Sequence, residues 1–438
     1  MGSFNKHETT EGSRKIASLF DEGTFVEIGA YIKRGEDGKE YEGVVCGYGS
    51  VDGKLAFVFA QDSDRMKGAF DALHAKKIKM LYDMAVKNGA PVIGIFDSVG
   101  ALVNEGVSSL AAYGTFMECV SQASGVIPQI AVISGVCSGM SAVVAAMFDM
   151  AITVKGSSQI YMSTADKAEG FCAAVEADDE QQAFANARKL ISILPANNRD
   201  SSEKATSDDC NRTVEFDCNN VIESIVDDAD FVEVFANCGG ESMKTGFAFV
   251  GGLLCGIVYA NGDMTGKGAK KAAKFIGFCD SFGISVVTLV NTRGFAADMC
   301  ACASAGFARL AYAYTTATTP KITAVIGEAI GAGYTLMGSK SVGADIEFAV
   351  VDSQISALTA EKAVAFLMND KITAEKSRES LEAEWKEEKA NPVEAAERGA
   401  IDDVIESSEL RQRLCAALYM LSDKAESKPS RKHANLPV

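Results

Sequence analysis

The chain spells out one structural order twice, and this duplication restricts its possible folds more than any other feature. Ile127, Pro128, Gln129 and Ile130 begin an apolar run to Ile133 that ends in Gly135, Val136, Cys137, Ser138, Gly139 and Met140. Thr319, Pro320, Lys321 and Ile322 begin a second run to Ile326, which ends in Gly327, Glu328, Ala329, Ile330, Gly331, Ala332 and Gly333. Each copy reads as a buried strand, a tight turn and a helix start. The first N–H groups of a helix have no intrahelical acceptor, so a helix entered through small residues can present them to a ligand oxygen. Two such turns predict two oxyanion sites in one enzyme.

The copies agree well beyond the turns. A hairpin turn at Val51, Asp52 and Gly53, between predicted strands over 44–48 and 55–59, recurs as Val250, Gly251 and Gly252 between 246–249 and 253–258. Ala75, Lys76 and Lys77 open an amphipathic helix that stops at Gly89; Ala269, Lys270 and Lys271 open one that stops at Gly283. Predicted strands follow over 92–96, ahead of Asp97 and Ser98, and over 286–290, ahead of Asn291 and Thr292. The exits match too, Ser158-Gln159-Ile160 against Ser353-Gln354-Ile355. This order predicts two homologous α/β lobes, residues 1–205 and 206–438, rather than a solenoid of short repeats.

Charge and residue usage exclude several partners. A formal net charge of −17 repels phosphate backbones, and no dense basic stripe offsets it, so nucleic acid is not an expected partner. The apolar stretch 126–154 is broken by Pro128, Gln129, Gly135 and Asp149 and reads as strand plus helix, not as a membrane span. The start, residues 1–10, is polar and has no signal-peptide core. The 12 cysteines are scattered, with Cys300 and Cys302 the only close neighbours and no Cys-x-x-Cys pair, which speaks against zinc. Reduced thiols in a cytoplasmic protein are expected. Outside the repeats, short helices are predicted over 14–20 and 181–194, a charged helix with Trp385 over 374–389, a further helix after Asn391 and Pro392, and an amphipathic one over 409–425. The basic tail 428–438 reads as an arm that docks on another subunit.

The catalytic inventory is notable for what it lacks. The three histidines, His7, His74 and His433, stand beside no candidate nucleophile, and neither a metal-ligand cluster nor a phosphate-binding Gly-Lys loop occurs. Asp97, Glu105 and Glu328 lie near the turns, as catalytic carboxylates or as structural ones at strand ends. Backbone donors remain: reactions through an enolate need N–H groups aimed at the developing oxyanion, and such donors ask only for small residues at the turn.

At this point the residues resemble a known family, the carboxyltransferase subunits of biotin-dependent acyl-CoA carboxylases and decarboxylases, the propionyl-CoA carboxylase β and methylmalonyl-CoA decarboxylase α group. The matching stretches are 43–49, 59–62, 89–94, 123–130 and 187–195 in the first half, and 225–228, 320–323, 391–396, 399–405 and 432–438 in the second. The resemblance implies a crotonase-type (ClpP/crotonase, ββα spiral) fold in each lobe, with acyl-CoA on the first, biotin on the second and the site shared between subunits. It implies that CO2 released from carboxybiotin meets an acyl enolate, with biotin as the base. Gly139 and Met140 would hold the thioester oxygen; Ala332 and Gly333, with Gly331 beside them, would hold the ureido oxygen. Ser98, Val99, Gly100, Ala101, Gly135 and Thr335 would line the acyl site, Lys76, Lys77 and Arg65 would be available to the CoA phosphates, and Gly294 and Phe295 would join the biotin side. No metal is expected. Biotin would ride on a separate biotin carboxyl carrier protein, with a biotin carboxylase or a sodium-pump membrane subunit as a further partner, and the chain would form a homo-oligomer, a hexamer in this family.

The sequence departs from the family pattern at ligand-facing loops. Val99 and Leu102 stand where Gly and Arg are usual, Met140 replaces the second of two glycines, Arg293 replaces Pro, and Lys67-Gly68-Ala69 replaces Gly-Gly-Ser. Thr335 falls at a position linked to acyl-chain choice, which leaves the substrate open. Two alternatives therefore stand beside carboxyl transfer: another crotonase-type activity on acyl-CoA, hydration or biotin-independent decarboxylation, using Glu105 or Asp97, and a non-catalytic or regulatory paralogue.

Overall fold

The structure, a computed structural model, describes residues 10–34, 40–163, 171–201, 208–297, 303–373, 375–430, 432 and 435–437. His7, His433, Cys300, Cys302 and the expected lobe boundary at 205 fall outside them. The chain divides into two compact units, Met1–Ser202 and Glu203–Val438.

The first lobe opens with α1 (Glu11–Leu19), capped by Thr10, and with strand β1 (Val26–Ile28). Strands β2 (Val44–Val51) and β3 (Lys54–Gln61) form an antiparallel hairpin about Asp52 and Gly53, both at positive φ as a two-residue turn of this hand requires. Helix α2 (Ala72–Asn88) leads to β4 (Val92–Ser98), α3 (Val107–Ala123), β5 (Gln129–Ser138), α4 (Met140–Met147) and β6 (Met150–Val154). Two short strands, β7 (Gln159–Tyr161) and β8 (Val175–Ala177), and α5 (Glu180–Ile193) complete it. The sheet runs β1-β2-β3-β4-β5-β6-β8, with β7 pairing β5; from β3 onward its pairings are parallel.

The second lobe repeats this order. Strands β9 (Val232–Glu233), β10 (Met243–Val250) and β11 (Leu253–Asn261) precede α6 (Gly266–Ser281), β12 (Ser285–Thr292), α7 (Ala303–Thr316), β13 (Lys321–Ile330), α8 (Ala332–Leu336), β14 (Ile346–Val350) and β15 (Gln354–Ser356). Helices α9 (Ala360–Leu367), α10 (Arg378–Lys389) and α11 (Pro392–Glu397), strand β16 (Asp403–Ile405) and α12 (Leu410–Leu421) follow. Its sheet runs β9-β10-β11-β12-β13-β14-β16, with β15 pairing β13. The two orders superpose strand for strand.

Each lobe has its own apolar core. In the first, Phe59, Phe70, Phe96, Phe116 and Phe148 pack edge-on and stacked between the sheet and α2, α3 and α4. In the second, Ile257, Leu289, Ile322 and Phe348 pack beneath Leu414 and Leu418 of α12. Burial of these side chains, at about 25 cal/mol per Å² of apolar surface, is what holds the sheets to their helices.

Several helix bounds differ from expectation, and caps explain most of them. The repeat helices begin at Ala72 and Gly266, a turn ahead of the Ala-Lys-Lys motifs, because Asp71 and Thr265 accept from the N–H groups of His74 and Gly268. The Trp385 helix starts at Arg378 rather than 374, after the Ser377 cap. The last helix stops at Leu421, short of 425, where Lys424 turns to pair with Asp345. In the tail, the Pro437 carbonyl accepts from Arg309 of its own lobe at 2.9 Å, so this part of the expected arm returns to its own chain. Cys172 and Cys238 are each in disulfide linkage, against the expectation of reduced thiols throughout; eight other described cysteines are free. Among the described residues no helix is long and apolar enough to cross a membrane.

Candidate functional site

Each site grows from a defect in a parallel strand pair. Between Phe96 and Ser98 the register advances two residues on β4 but from Ile133 to Cys137 on β5; between Val290 and Thr292 it does the same on β12 while β13 advances from Val325 to Ala329. Such a bulge strands a backbone N–H, which must find another acceptor. The side chain at the centre of the shift supplies it: Asp97 Oδ1 accepts from Val136 at 3.2 Å, and Asn291 Oδ1 accepts from Glu328 at 2.9 Å. The preceding glycines make room for these side chains. A Cβ on Gly135 would lie 2.2 Å from Asp97 Oδ1, and one on Gly327 2.3 Å from Asn291 Oδ1. Gly135, expected to line the acyl site, therefore serves packing.

The turns that follow share one backbone. Gly139 has φ 58° and ψ −121°, Gly331 φ 55° and ψ −120°, a region open to glycine and strained for any other residue. The Gly139 N–H donates to the Tyr161 carbonyl and the Gly331 N–H to that of Ser356, both at 2.8 Å. These carbonyls follow the duplicated Ser-Gln-Ile strands β7 and β15, whose partnership with β5 and β13 thus clamps the glycines. The expectation that Gly139 itself donates to an oxyanion is corrected accordingly: its N–H is already spent. Among the described residues, the N–H groups of Met140 and Ser141 at the start of α4, and those of Ala332, Gly333 and Tyr334 at the start of α8, have no backbone acceptor. The first pair lies one residue later than sequence matching placed it, and Ser141 was missed.

A second loop borders each turn. Gly100 and Gly294, at φ 105° and 102°, donate their N–H groups to the hydroxyl oxygens of Ser98 and Thr292, each at 3.1 Å. Phe70 bonds to both Gly100 and Leu102, and Met264 to both Gly294 and Ala296; among the described residues the N–H groups of Ala101 and Phe295 between them have no backbone acceptor. A Cβ on Gly100 would lie 3.4 Å from the Ser138 carbonyl, and one on Gly294 3.2 Å from that of Ile330. Ser98, Gly100 and Ala101 are thus brought against the Gly139 turn, and Gly294 and Phe295 against the Gly331 turn.

The backbones agree, but the side chains around them do not. Val99 and Val136 occupy the positions that Arg293 and Glu328 hold in the second lobe, where Arg293 Nε donates to Glu328 Oε2 at 2.6 Å. Val99 is exposed, Met140 half-buried and packed against the core, and Phe295 lies over Phe307 with ring centroids 4.5 Å apart. Below the first turn Tyr113 bonds Ser141 Oγ at 2.7 Å; burial, against the pull of that bond, pushes its hydroxyl up to about 12. Burial likewise pushes the Cys137 thiol up to about 12, which removes it as a nucleophile at neutral pH. Thr335 is exposed on α8.

The two lysines of the repeat helix separate. Lys76 is exposed, as expected of a cation for phosphates. Lys77 is not: 3% exposed, it donates to the Val44 carbonyl at 2.5 Å and lies 3.8 Å from Glu27 of β1. Lys271 does the same in the second lobe, bonding the Gly240 carbonyl with Glu233 of β9 nearby. Lys77 is a tie between helix and edge strand and cannot reach a surface phosphate. Of the carboxylates, Asp97 pairs with Lys15 at 2.9 Å, Glu328 with Arg293, and Glu105 is exposed. His74 is buried against Phe70 and 3.7 Å from Glu42. Among the described residues no group of side chains is arranged to hold a metal ion.

Comparison with known proteins follows from this geometry. The model of the carboxyl transferase domain matches residues 12–171 and 164–436. The chain is 35% identical to the methylmalonyl-CoA decarboxylase subunit alpha of Propionigenium modestum, over 97% of this chain and 92% of the relative. It is 33% identical to the putative propionyl-CoA carboxylase beta chain of Bacillus subtilis (strain 168), over 97% and 93%. Among solved structures it is similar to transcarboxylase 12S, a hexamer assembly with methylmalonyl-coenzyme A and methylmalonic acid bound, with a TM-score of 0.89, 30% identity, and coverage of 98% of this chain and 93% of that one.

Proposed function

The chain belongs to the carboxyl transferase domain family, and on that premise we propose that it moves CO2 between carboxybiotin and the α-carbon of a short-chain acyl-CoA. Its lobes have the crotonase-type α/β architecture of the transcarboxylase 12S relative. The observation that carries the reading is the pair of glycine-set turns, alike in φ and ψ to within a few degrees and each followed by N–H groups with no backbone acceptor among the described residues. Donors fixed in this way are aimed before any charge develops, and losing one costs about 100- to 1,000-fold in rate.

The first lobe takes the acyl-CoA. Met140 and Ser141 hold the thioester oxygen as the enolate forms, beside the Ala101 N–H, while Val99 and Val136 offer an alkyl chain an apolar rim. Lys76 faces a CoA phosphate. The second lobe takes the biotin group, with Ala332 and Gly333 donating to its ureido oxygen and Phe295 beside it. The residues fit such a group: a Cβ on Gly333 would lie 2.7 Å from Thr292 Cγ2 and 3.1 Å from its carbonyl, so only a flush backbone fits, and among the described residues its N–H has no backbone acceptor. The ionic Arg293–Glu328 rim suits a polar ring better than an alkyl chain. When bound, the biotin group supplies both the carboxyl group and the base. Biotin rides on a separate carrier protein, a biotin carboxylase or a sodium-pump membrane subunit completes the complex, and the chain works as a homo-oligomer, a hexamer, in the cytoplasm.

The test is purified protein with malonyl-CoA or methylmalonyl-CoA and free biotin or a biotinylated carrier. Biotin-dependent decarboxylation supports the proposal. Turnover without biotin points to another crotonase-type reaction, and a failure to bind acyl-CoA points to a non-catalytic paralogue.

A further inference from the structure

The side chain that closes each strand bulge differs in charge between the lobes. In the second lobe it is the neutral Asn291, whose Oδ1 takes the Glu328 N–H and whose Nδ2 donates to Asn261 Oδ1 at 2.9 Å and to Cys218 Sγ at 3.1 Å. In the first it is Asp97, whose Oδ1 takes the Val136 N–H and whose Oδ2 takes the ammonium of Lys15 at 2.9 Å. Lys15 arrives from α1 with its side chain 5% exposed, and Glu11 and Glu180 each lie 3.8 Å from the same nitrogen. Gly135 gives the carboxylate no slack, since its missing Cβ is what admits Asp97 against the β5 backbone. A carboxylate so enclosed keeps its charge only beside a cation; an amide in the same place needs none.

We propose that Lys15 is a positioning residue of the first-lobe site: by neutralising Asp97 it keeps the β5 bulge, and with it the Gly139 turn and its N–H pair, in register. Asn291 performs the same task in the second lobe without a charge. Only the rate measurements below rest on the carboxyl-transfer reading.

The duplication supplies the test. Lys15→Met, Asp97→Asn, their combination and the conservative Lys15→Arg are compared by kcat and KM for biotin-dependent turnover, and by amide hydrogen exchange over residues 133–141. Lys15→Met lowers kcat by about 10- to 100-fold through a misplaced turn and speeds exchange in that segment, while Lys15→Arg stays near wild type. The double variant recovers to within a few-fold of wild type in both measurements, because the amide no longer needs its counter-charge. Wild-type kcat and exchange in Lys15→Met, or a double variant no better than Lys15→Met, overturns the proposal. If Lys15→Met does not fold, the double variant decides: folded with wild-type exchange it supports the role, and unfolded it overturns it. If wild-type protein shows no biotin-dependent turnover, the carboxyl-transfer reading fails, and the exchange comparison still decides the role of Lys15.

Discussion

One glycine and one glutamate carry the sharpest residue-level expectations. Gly139 has open space for a Cβ, so alanine there meets no clash and suffers only from φ 58°. Gly139→Ala should cost about 1–3 kcal/mol in urea unfolding from backbone strain and lower turnover by about 100-fold as the N–H pair turns away. A variant with full activity would show that the turn sets no donor. Glu347 of β14 is buried beside Asp402, and burial first, then that neighbour, raise its carboxyl from 4.5 to about 7. A raised acid favours the folded state while protonated, so its contribution is intact below about pH 4.5, falls as pH rises to 7 and stays lost above. Glu347→Gln keeps an acceptor for the Lys340 N–H and should therefore stabilise the protein at pH 8, by up to roughly 3 kcal/mol, with the gain vanishing near pH 4.5. A gap that does not change with pH would contradict this. At this scale the need for glycine in the turns at Gly139 and Gly331 was legible, the donor role read for Gly139 was not, and a residue type with two reasons to be present misled. Gly135 was read as facing ligand, but its space is filled by Asp97 from the next strand, which no local pattern reveals.

At the scale of elements, Ala75-Lys76-Lys77 shows a signal that was present and overlooked. His74, Lys77, Ile78, Leu81, Tyr82 and Ala85 are buried at helical spacing, so Lys77 belongs to the apolar stripe and Lys76 does not. Adjacent residues on one helix should then behave oppositely. Lys77→Ala, which removes a charged donor from the Val44 carbonyl, should lower stability by about 2 kcal/mol and leave acyl-CoA affinity alone. Lys76→Ala should weaken acyl-CoA binding several-fold with little change in stability, as titration calorimetry alongside thermal unfolding would show. The reverse outcome would return Lys77 to the phosphate site. The duplicated order of elements and the hairpins could be read because hydrophobic period and turn residues are local; the helix Ala360–Leu367 was not read, and the bulges and the Tyr161 and Ser356 clamps could not be, because they arise only when strands pair.

For the whole molecule, duplication is the organising fact. It was visible as matched motifs, and it reappears as two sheets of one strand order with separate cores. The two turns share a backbone while their side chains differ, Val99 and Val136 in one lobe against Arg293 and Glu328 in the other. Homo-oligomerisation belongs to this scale too: sedimentation equilibrium should find six chains, and a monomer at micromolar concentration would contradict the assembly. The central claim is that backbone N–H pairs, and no side-chain base, carry the chemistry. It is tested most directly by Ala332→Pro, measured for biotin-dependent turnover in protein shown to keep its assembly, because proline fits the first position of α8 and removes that N–H. The account predicts a fall of about 100- to 1,000-fold with acyl-CoA affinity unchanged; turnover at the wild-type rate would contradict it.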